Sequence, residues 1–333
     1  MSNLNATAGN RGPGVRYVTI DARHAGQRLD NFLLAQFRDA PRSLIYRILR
    51  KGEVRVNKGR ASASQRLQTG DVVRLPPIRM AADQPRPKIP AGWIAQLENA
   101  IIHEDDCLLV INKPPGLAVH GGSGVPFGVI DILRASRGKA AMLELAHRLD
   151  RDTSGCLLLA KSREVLLNLQ AQMQSEGTAD KRYRAVVKGR FKRGKGRDGE
   201  VLVNAPLRKN ILKGGERMVL IDPNGKPAQT VFRLLEARDN ASLVEAQLLT
   251  GRTHQVRVHA SHLGHPIVGD KKYGDAAFNR EIRKPTVGKG FSGMALHAAS
   301  LRFAHPISGV IQTYKAPLPE SWQPLLDQFQ LKI

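Results

Sequence analysis

Cysteine is almost missing from this 333-residue chain: there are two, Cys107 and Cys156, each beside an apolar run. They read as small buried hydrophobes in a reducing compartment, which argues against a disulfide framework or a thiol nucleophile. Long apolar runs are missing as well. None approaches the roughly 18–20 residues of a membrane span. With no lipidation motif and no long basic amphipathic anchor, no membrane partner is expected. The opening MSNLNATAGNRGPGV has neither a basic leader nor an apolar segment, so residues 1–15 read as a flexible tail and the location as cytoplasmic. Metal-ligand spacings are absent: no His-Glu-x-x-His, no Cys pair and no facial triad, so no metal is expected. Ser154 lacks a Gly-x-Ser-x-Gly elbow and there is no P-loop, which removes serine hydrolysis and P-loop phosphate chemistry.

Acidic residues are scarce, and that deficit is the strongest compositional fact. Lys and Arg number 52 against 29 Asp and Glu, a formal charge of +23. Such a balance implies a polyanionic partner, and with membranes set aside nucleic acid leads. Hydrophobic residues make up 41%, so the chain is globular, and its length allows two domains with a sizeable core.

The basic excess is patterned. Residues 24–79 hold twelve Lys or Arg against four acids. Leu29, Phe32, Leu33 and Phe37 repeat at helical spacing. A second helix is predicted over residues 43–51. Leu44, Ile45, Ile48 and Leu49 share one arc of it, and Ser43, Arg47, Arg50 and Lys51 the opposite one. Gly52 ends that helix, residues 53–57 alternate as a strand, and Asn57-Lys58-Gly59 supplies a turn. On Gly26-Gln27-Arg28-Leu29-Asp30 and residues 47–57, this stretch resembles the small RNA-binding module named after the S-four protein of the small ribosomal subunit. The resemblance implies a basic helix pair docked on structured RNA, with Arg47, Arg50, Lys51, Arg55 and Lys58 as the RNA-binding set. Phe32, Phe37 and Tyr46 are its only aromatics, so recognition of the backbone by charge is expected rather than base stacking.

Prolines at 76, 77, 85, 87 and 90 mark a semi-rigid linker, set at 81–98, between a domain at 16–80 and a larger one at 99–333. The larger domain alternates apolar runs with turns. Strands are predicted at 108–111, 157–160, 183–187 and 242–248. Ser162 caps a helix carrying Leu166, Leu169 and Met173, and another helix runs from Val256 through His262. Many strands with few helices predict an α+β fold with a mixed or antiparallel sheet. Residues 188–199, KGRFKRGKGRDG, read as an exposed basic loop whose contact with RNA is left open.

The chemistry concentrates in His147-Arg148-Leu149-Asp150-Arg151-Asp152-Thr153-Ser154-Gly155. This run is mixed in sign and non-periodic, and it leads directly into apolar residues 156–160, as expected of a loop that a scaffold holds for chemistry. An Asp beside Arg stays ionised, and such a carboxylate can act as nucleophile or proton acceptor without a cofactor. Its natural target in RNA is the anomeric carbon of a sugar, where bond breaking builds positive charge. Cationic surroundings, in place of a second carboxylate, suit a uracil that departs as an anion. The base must first leave its stack.

Together with Asn112-Lys113-Pro114-Pro115-Gly116, Lys181-Arg182-Tyr183-Arg184-Ala185 and residues 251–259, Gly-Arg-Thr-His-Gln-Val-Arg-Val-His, that loop resembles the RluA family of pseudouridine synthases. The branch is the one that modifies large-subunit ribosomal RNA. Val119-His120-Gly121-Gly122-Ser123-Gly124 and Lys209-Asn210-Ile211-Leu212 support the match, which spans residues 16 to about 320. The resemblance implies an S-four-like module beside a catalytic domain, isomerising uridines of 23S ribosomal RNA or its precursor without cofactor or metal. A monomer is the expected state. It implies Asp150 as the catalytic aspartate, Tyr183 as the residue stacked on the target base, and Arg257 as the partner of the aspartate. Arg148 would aid base flipping, and Arg252, Thr253 and His254 would shape the pocket. Asp152 is expected only to make loop hydrogen bonds. Attack on the sugar and formation of a glycal both remain open. The alternatives are an inactive RNA-binding ribosome-assembly factor, and an RNA glycosidase or phosphodiesterase.

Overall fold

The computed structural model describes residues 14–22, 24–37, 40, 42–78, 89–121, 125–138, 142–211, 217–284 and 290–332. Residues 1–13 of the expected tail, residues 79–88 of the Pro-rich stretch, residues 122–124 and Leu212 lie outside them. The chain divides into two compact units, Met1–Arg86 and Pro87–Ile333.

The first unit contains β1 (Arg16–Thr19), α1 (Leu29–Gln36), α2 (Arg42–Arg50), β2 (Arg55–Val56), β3 (Gly59–Arg60) and β4 (Val72–Leu75). Its antiparallel sheet has the order β1-β4-β2-β3. Leu29, Phe32 and Leu33 of α1 meet Ile45, Ile48 and Leu49 of α2 in one buried cluster. The helical spacing thus turns both apolar arcs inward. Asp30 is buried and accepts hydrogen bonds from Arg28 Nη2 at 2.7 Å and the Tyr46 hydroxyl at 3.0 Å. The strand expected at 53–57 shortens to Arg55–Val56. Asn57 and Lys58 take positive φ, 50° and 67°, and Val56 pairs with Gly59, so a two-residue turn closes the ladder early.

The second unit begins inside the stretch expected to be linker, which corrects that expectation. Helix α3 (Ala91–Asn99) follows Pro90, and its Trp93, Ile94 and Leu97 pack on the domain core. Pro90 stands at the N-cap, ahead of the helical N–H ladder, where a missing donor breaks no bond. Three apolar residues on one helical face outweigh the proline content.

The chain continues with β5 (Ile101–Glu104), β6 (Leu108–Lys113), α4 (Val129–Ser136), β7 (Glu144–Leu145), β8 (Ser154–Ala160) and α5 (Arg163–Gln174). Then come β9 (Asp180–Lys188), β10 (Val201–Asn204), β11 (Leu207–Ile211), β12 (Arg217–Ile221), β13 (Gln229–Ala237) and β14 (Ala241–Leu248). It ends with α6 (Gln255–His262), α7 (Ala276–Ile282), β15 (Leu296–Ala304), β16 (Ile311–Lys315) and α8 (Gln323–Phe329). One ten-stranded sheet runs β10-β13-β14-β9-β15-β8-β6-β5, with β16 added on β15 and β7 on β8. β8 and β15 are parallel and the other pairs antiparallel, so the sheet is mixed. β11 and β12 form a separate hairpin.

β8 is buried at every position, as befits a central strand covered on both faces. Gly155 sits at its start with φ +107°, and a Cβ there would lie 2.3 Å from the Ala298 carbonyl oxygen of β15. Only glycine allows that approach. The charged loop therefore ends on the residue that docks it to the centre of the sheet.

Candidate active site

Asp150 lies in the loop between β7 and β8, and its carbonyl accepts the Thr153 N–H at 3.2 Å, closing a turn. Lys113, at the end of β6, is fully buried behind this loop. Its Nζ donates to the carbonyls of Pro114 and Leu117, both at 2.8 Å, and of Arg151 at 3.0 Å. Burial pushes its pKa down to about 7. One amine thus ties the Asn-Lys-Pro segment to the residue beside Asp150.

Arg257 projects from α6 and serves two carboxylates. Its Nη1 donates to Asp150 Oδ2 at 2.8 Å. Its Nε and Nη2 donate to Asp270 Oδ2 and Oδ1 at 2.7 and 2.8 Å, the bidentate geometry that suits guanidinium. The Asp270 side chain is wholly buried and also accepts the backbone N–H groups of Lys272 and Tyr273. Burial works against both charges, but the pairing outweighs it: Arg257 is raised above its ordinary pKa and Asp270 lowered below its own. The guanidinium also rests 5.1 Å over the Tyr273 ring.

Tyr273 fixes a neighbour as well. Its hydroxyl accepts the Val219 N–H at 2.9 Å and stands 2.8 Å from His254 Nδ1. On the other side of the ring, His254 Nε2 lies 3.7 Å from Asp150 Oδ2. Burial lowers the His254 pKa, more than Asp150 raises it. At neutral pH His254 is an uncharged wall of the site.

Tyr183, on β9, packs half-buried against the apolar clusters on either side of it. Burial, with the Asp150 charge adding to it, raises the phenol pKa, so the ring stays neutral. Asp150, Tyr183 and Arg257 line one cavity of about 270 Å³, together with Arg148, Arg252, Thr253 and His254. The volume is at the small end for ligand sites and suits a single extruded base. Arg148 is exposed, and among the described residues no hydrogen bond or ion pair holds its guanidinium. Arg252 is partly committed, donating from Nε to the Pro227 carbonyl at 2.9 Å.

All seven sequence-predicted pocket residues thus meet in space. The reading of a lone carboxylate needs correction, because Arg257 is shared with Asp270. Asp270 and Tyr273 were missed, as was the clamp role of Lys113. No spacing links Asp270 to Arg257, thirteen residues earlier. The available signals were a Gly-Asp ending the apolar 266–268 run, and a lysine closing an otherwise apolar strand. Lys181 also lines the cavity, its Nζ donating to the Met173 carbonyl at the end of α5. The RNA-binding set predicted for the first unit, Arg47, Arg50, Lys51, Arg55 and Lys58, is exposed throughout.

Cys156 is buried as expected, but Cys107 is only half-buried, because it sits in the turn before β6. Near it, Asp105 and His305 complete the one grouping of potential metal donors among the described residues. His305 Nδ1 accepts the N–H groups of Ile307 and Ser308, so its Nε2 keeps a proton and faces Asp105 Oδ2 at 3.3 Å. A metal-bound imidazole donates from its other nitrogen, whereas this one accepts. The group is a hydrogen-bonded network apart from the cavity.

Scaffold and site define a class of protein: a mixed-sheet domain offering an aspartate–arginine–tyrosine cavity, in one chain with a small basic RNA-binding module. The RNA pseudouridylate synthase family matches residues 107–262, and the S4 domain matches residues 27–73. The ribosomal large subunit pseudouridine synthase C of Haemophilus influenzae is 48% identical over 317 residues, 95% of each chain. That of Escherichia coli (strain K12) is 47% identical over 319 residues, 96% of this chain and 98% of the relative. Among solved structures, human RNA Pseudouridylate Synthase Domain Containing 4 superposes with a TM-score of 0.57 at 25% identity, covering 72% of this chain and 96% of that one. The chain belongs to the pseudouridine synthase family, in the group of the ribosomal large subunit synthase C enzymes, and is an isomerase.

Proposed function

We propose that this enzyme converts uridines of large-subunit (23S) ribosomal RNA to pseudouridine, with Asp150 as the group that reacts at the sugar. One observation carries the assignment of Asp150. Arg257 engages Oδ2 alone, and among the described residues no hydrogen bond reaches Oδ1. The carboxylate is anchored at one oxygen and available at the other, in a cavity sized for a base.

The chemistry follows. The target nucleotide leaves its stack, and the unpartnered Arg148 fills or props the space it vacates. The uracil lies against Tyr183. Asp150 either adds to the anomeric carbon or removes a neighbouring ribose proton to give a glycal. Either way the N1–C1′ bond breaks and uracil departs as an anion, stabilised by the cationic walls. Uracil turns and C5 bonds to C1′ as the Asp150–C1′ bond breaks or, in the glycal route, as Asp150 returns the ribose proton; the C5 proton then passes to solvent and N1 takes one up. A carbon–nitrogen bond is exchanged for a carbon–carbon bond with no net redox change, so the sequence of steps balances without a cofactor. An enzyme that acts on ribosomal RNA would work in the cytoplasm. No described helix is long and apolar enough to cross a membrane.

Ribosomal RNA tritiated at uridine C5 tests this. Wild-type protein should release label to water with RNA mass unchanged, and Asp150→Asn should abolish release while still binding RNA. Release by Asp150→Asn at the wild-type rate would remove Asp150 from the mechanism. Free uracil or cleaved RNA would favour a glycosidase or phosphodiesterase instead.

A further inference from the structure

The loop joining β9 to β10 is the basic segment that the active site does not use. Lys192, Arg193, Lys195 and Arg197 are all exposed within six residues. Cations at the base of the loop and around it are paired: Lys188 with Asp275, Arg190 with Asp239, and Arg233 with Glu200. Among the described residues no carboxylate pairs with the four at the tip. Asp198 is the only acid in residues 188–199.

The loop is also built rather than loose. Phe191 is buried and its N–H donates to Ser242 Oγ, which in turn donates to the Gly189 carbonyl. Gly194 and Gly196 donate to the carbonyls of Gly199 and Glu200. A Cβ at Gly194 would lie 2.1 Å from the Glu200 carbonyl oxygen, so the crossing needs glycine there. Gly189 through Lys195 has the Gly-x-x-x-x-Gly-Lys outline of a phosphate loop. Residue 196 is Gly rather than Ser or Thr, no α-helix follows, and two of the backbone N–H groups are spent inside the loop. Side-chain charge is what the loop offers.

Its position sets it apart from the cavity. Lys181 and Leu248 pair at the cavity end of β9 and β14, and Lys188 and Ala241 at the loop end. From Tyr183 to Lys188 is about 17 Å at the rise of a β-strand. That distance spans about five phosphates along one strand of a duplex. The geometry points to a second RNA-docking element: the tip cations hold the phosphodiester backbone of the same RNA whose uridine enters the cavity, several nucleotides away from it. This rests on the reading of the enzyme as acting on RNA.

Two RNAs separate the possibilities. One is a short oligonucleotide that fills the cavity and its rim; the other is a long stem-loop of ribosomal sequence around a target uridine. In full-length Lys192→Gln/Lys195→Gln/Arg197→Gln protein, affinity for the long RNA should fall at least tenfold. The salt slope of log K should drop by about two to three, near 0.9 per lost phosphate contact. Affinity for the short RNA, and tritium release at saturating RNA, should stay at wild-type values. Arg193 is kept because its stem covers Gly199. The Lys192→Arg/Lys195→Arg variant preserves charge and should bind as wild type. Unchanged long-RNA affinity and slope would overturn the proposal. So would equal loss on both RNAs, which would make the loop part of the scaffold. Absence of tritium release from wild-type protein on any RNA would instead strike the underlying functional reading.

Discussion

Two groups of cations, one in each unit, are used in opposite ways. In the first unit Arg47, Arg50, Lys51, Arg55 and Lys58 stand exposed, and among the described residues no carboxylate pairs with them. In the second, Arg257 is buried and gives three donors to two carboxylates. A cation meant for affinity must stay hydrated and free, because its gain comes from releasing the counterions of a polyanion. A cation meant for chemistry must be fixed, because the reacting carboxylate can be no better placed than the group that holds it. The +23 charge is thus two populations, and they should fail differently when removed.

The sharpest break comes at Arg257. Arg257→Met strands the wholly buried Asp270 and should cost about 3–5 kcal/mol of stability. It should also lower the isomerisation rate by about 10²-fold or more, since Asp150 loses its anchor. Adding Asp270→Asn should recover much of the stability in a urea melt and none of the rate. Recovery of both would mean that Arg257 serves folding alone, and the contrast between the two units would dissolve.

A smaller effect is expected at Lys113, a buried cation with carbonyls rather than carboxylates as partners. Its pKa falls from 10.5 to about 7 on folding. Below pH 7 the ammonium is present in both states, and the cost of burying it is paid in full. Between pH 7 and 10.5 the unfolded chain binds the extra proton, so that cost is relieved as pH rises. Wild-type protein should therefore gain stability relative to Lys113→Met from pH 7 upward, with a slope of at most about 1.4 kcal/mol per pH unit. Urea melts of both proteins from pH 6 to 9 measure this. Parallel curves would show that Lys113 keeps its ordinary proton affinity inside the fold.

What the sequence disclosed follows the same division. Helical spacing alone placed Ile45, Ile48 and Leu49 inward and Arg47 and Arg50 outward, because one-dimensional periodicity encodes an exposed face. The mixed sheet and the seven pocket residues also followed, the latter through motif resemblance. Asp270 did not. Its meeting with Arg257 is a tertiary event between α6 and the turn after Val268, and no local pattern carries it. α3 was hidden differently: prolines at 85, 87 and 90 masked the short apolar face of Trp93, Ile94 and Leu97. Cys107 was misjudged because an apolar run begins beside it, while the residue itself belongs to the turn.

The mildest test lies inside the first unit, where Arg28 and Arg47 are both matched by the S4 domain. Arg28 bonds to the buried Asp30 through Nε and Nη2, at 3.1 and 2.7 Å. Arg47 shows no such bond among the described residues. Arg47→Gln should weaken RNA binding by a few-fold, lower the salt slope by about one, and leave the melting temperature unchanged. Arg28→Gln should do the reverse, lowering the melting temperature with little change in slope, because among the described residues the Asp30 carboxylate then keeps only Tyr46 and the Asn31 N–H as partners. Anisotropy titrations at several salt concentrations, beside thermal melts, read both quantities. If the two variants moved the same quantity, exposure and pairing would not be what sorts this protein's cations by task.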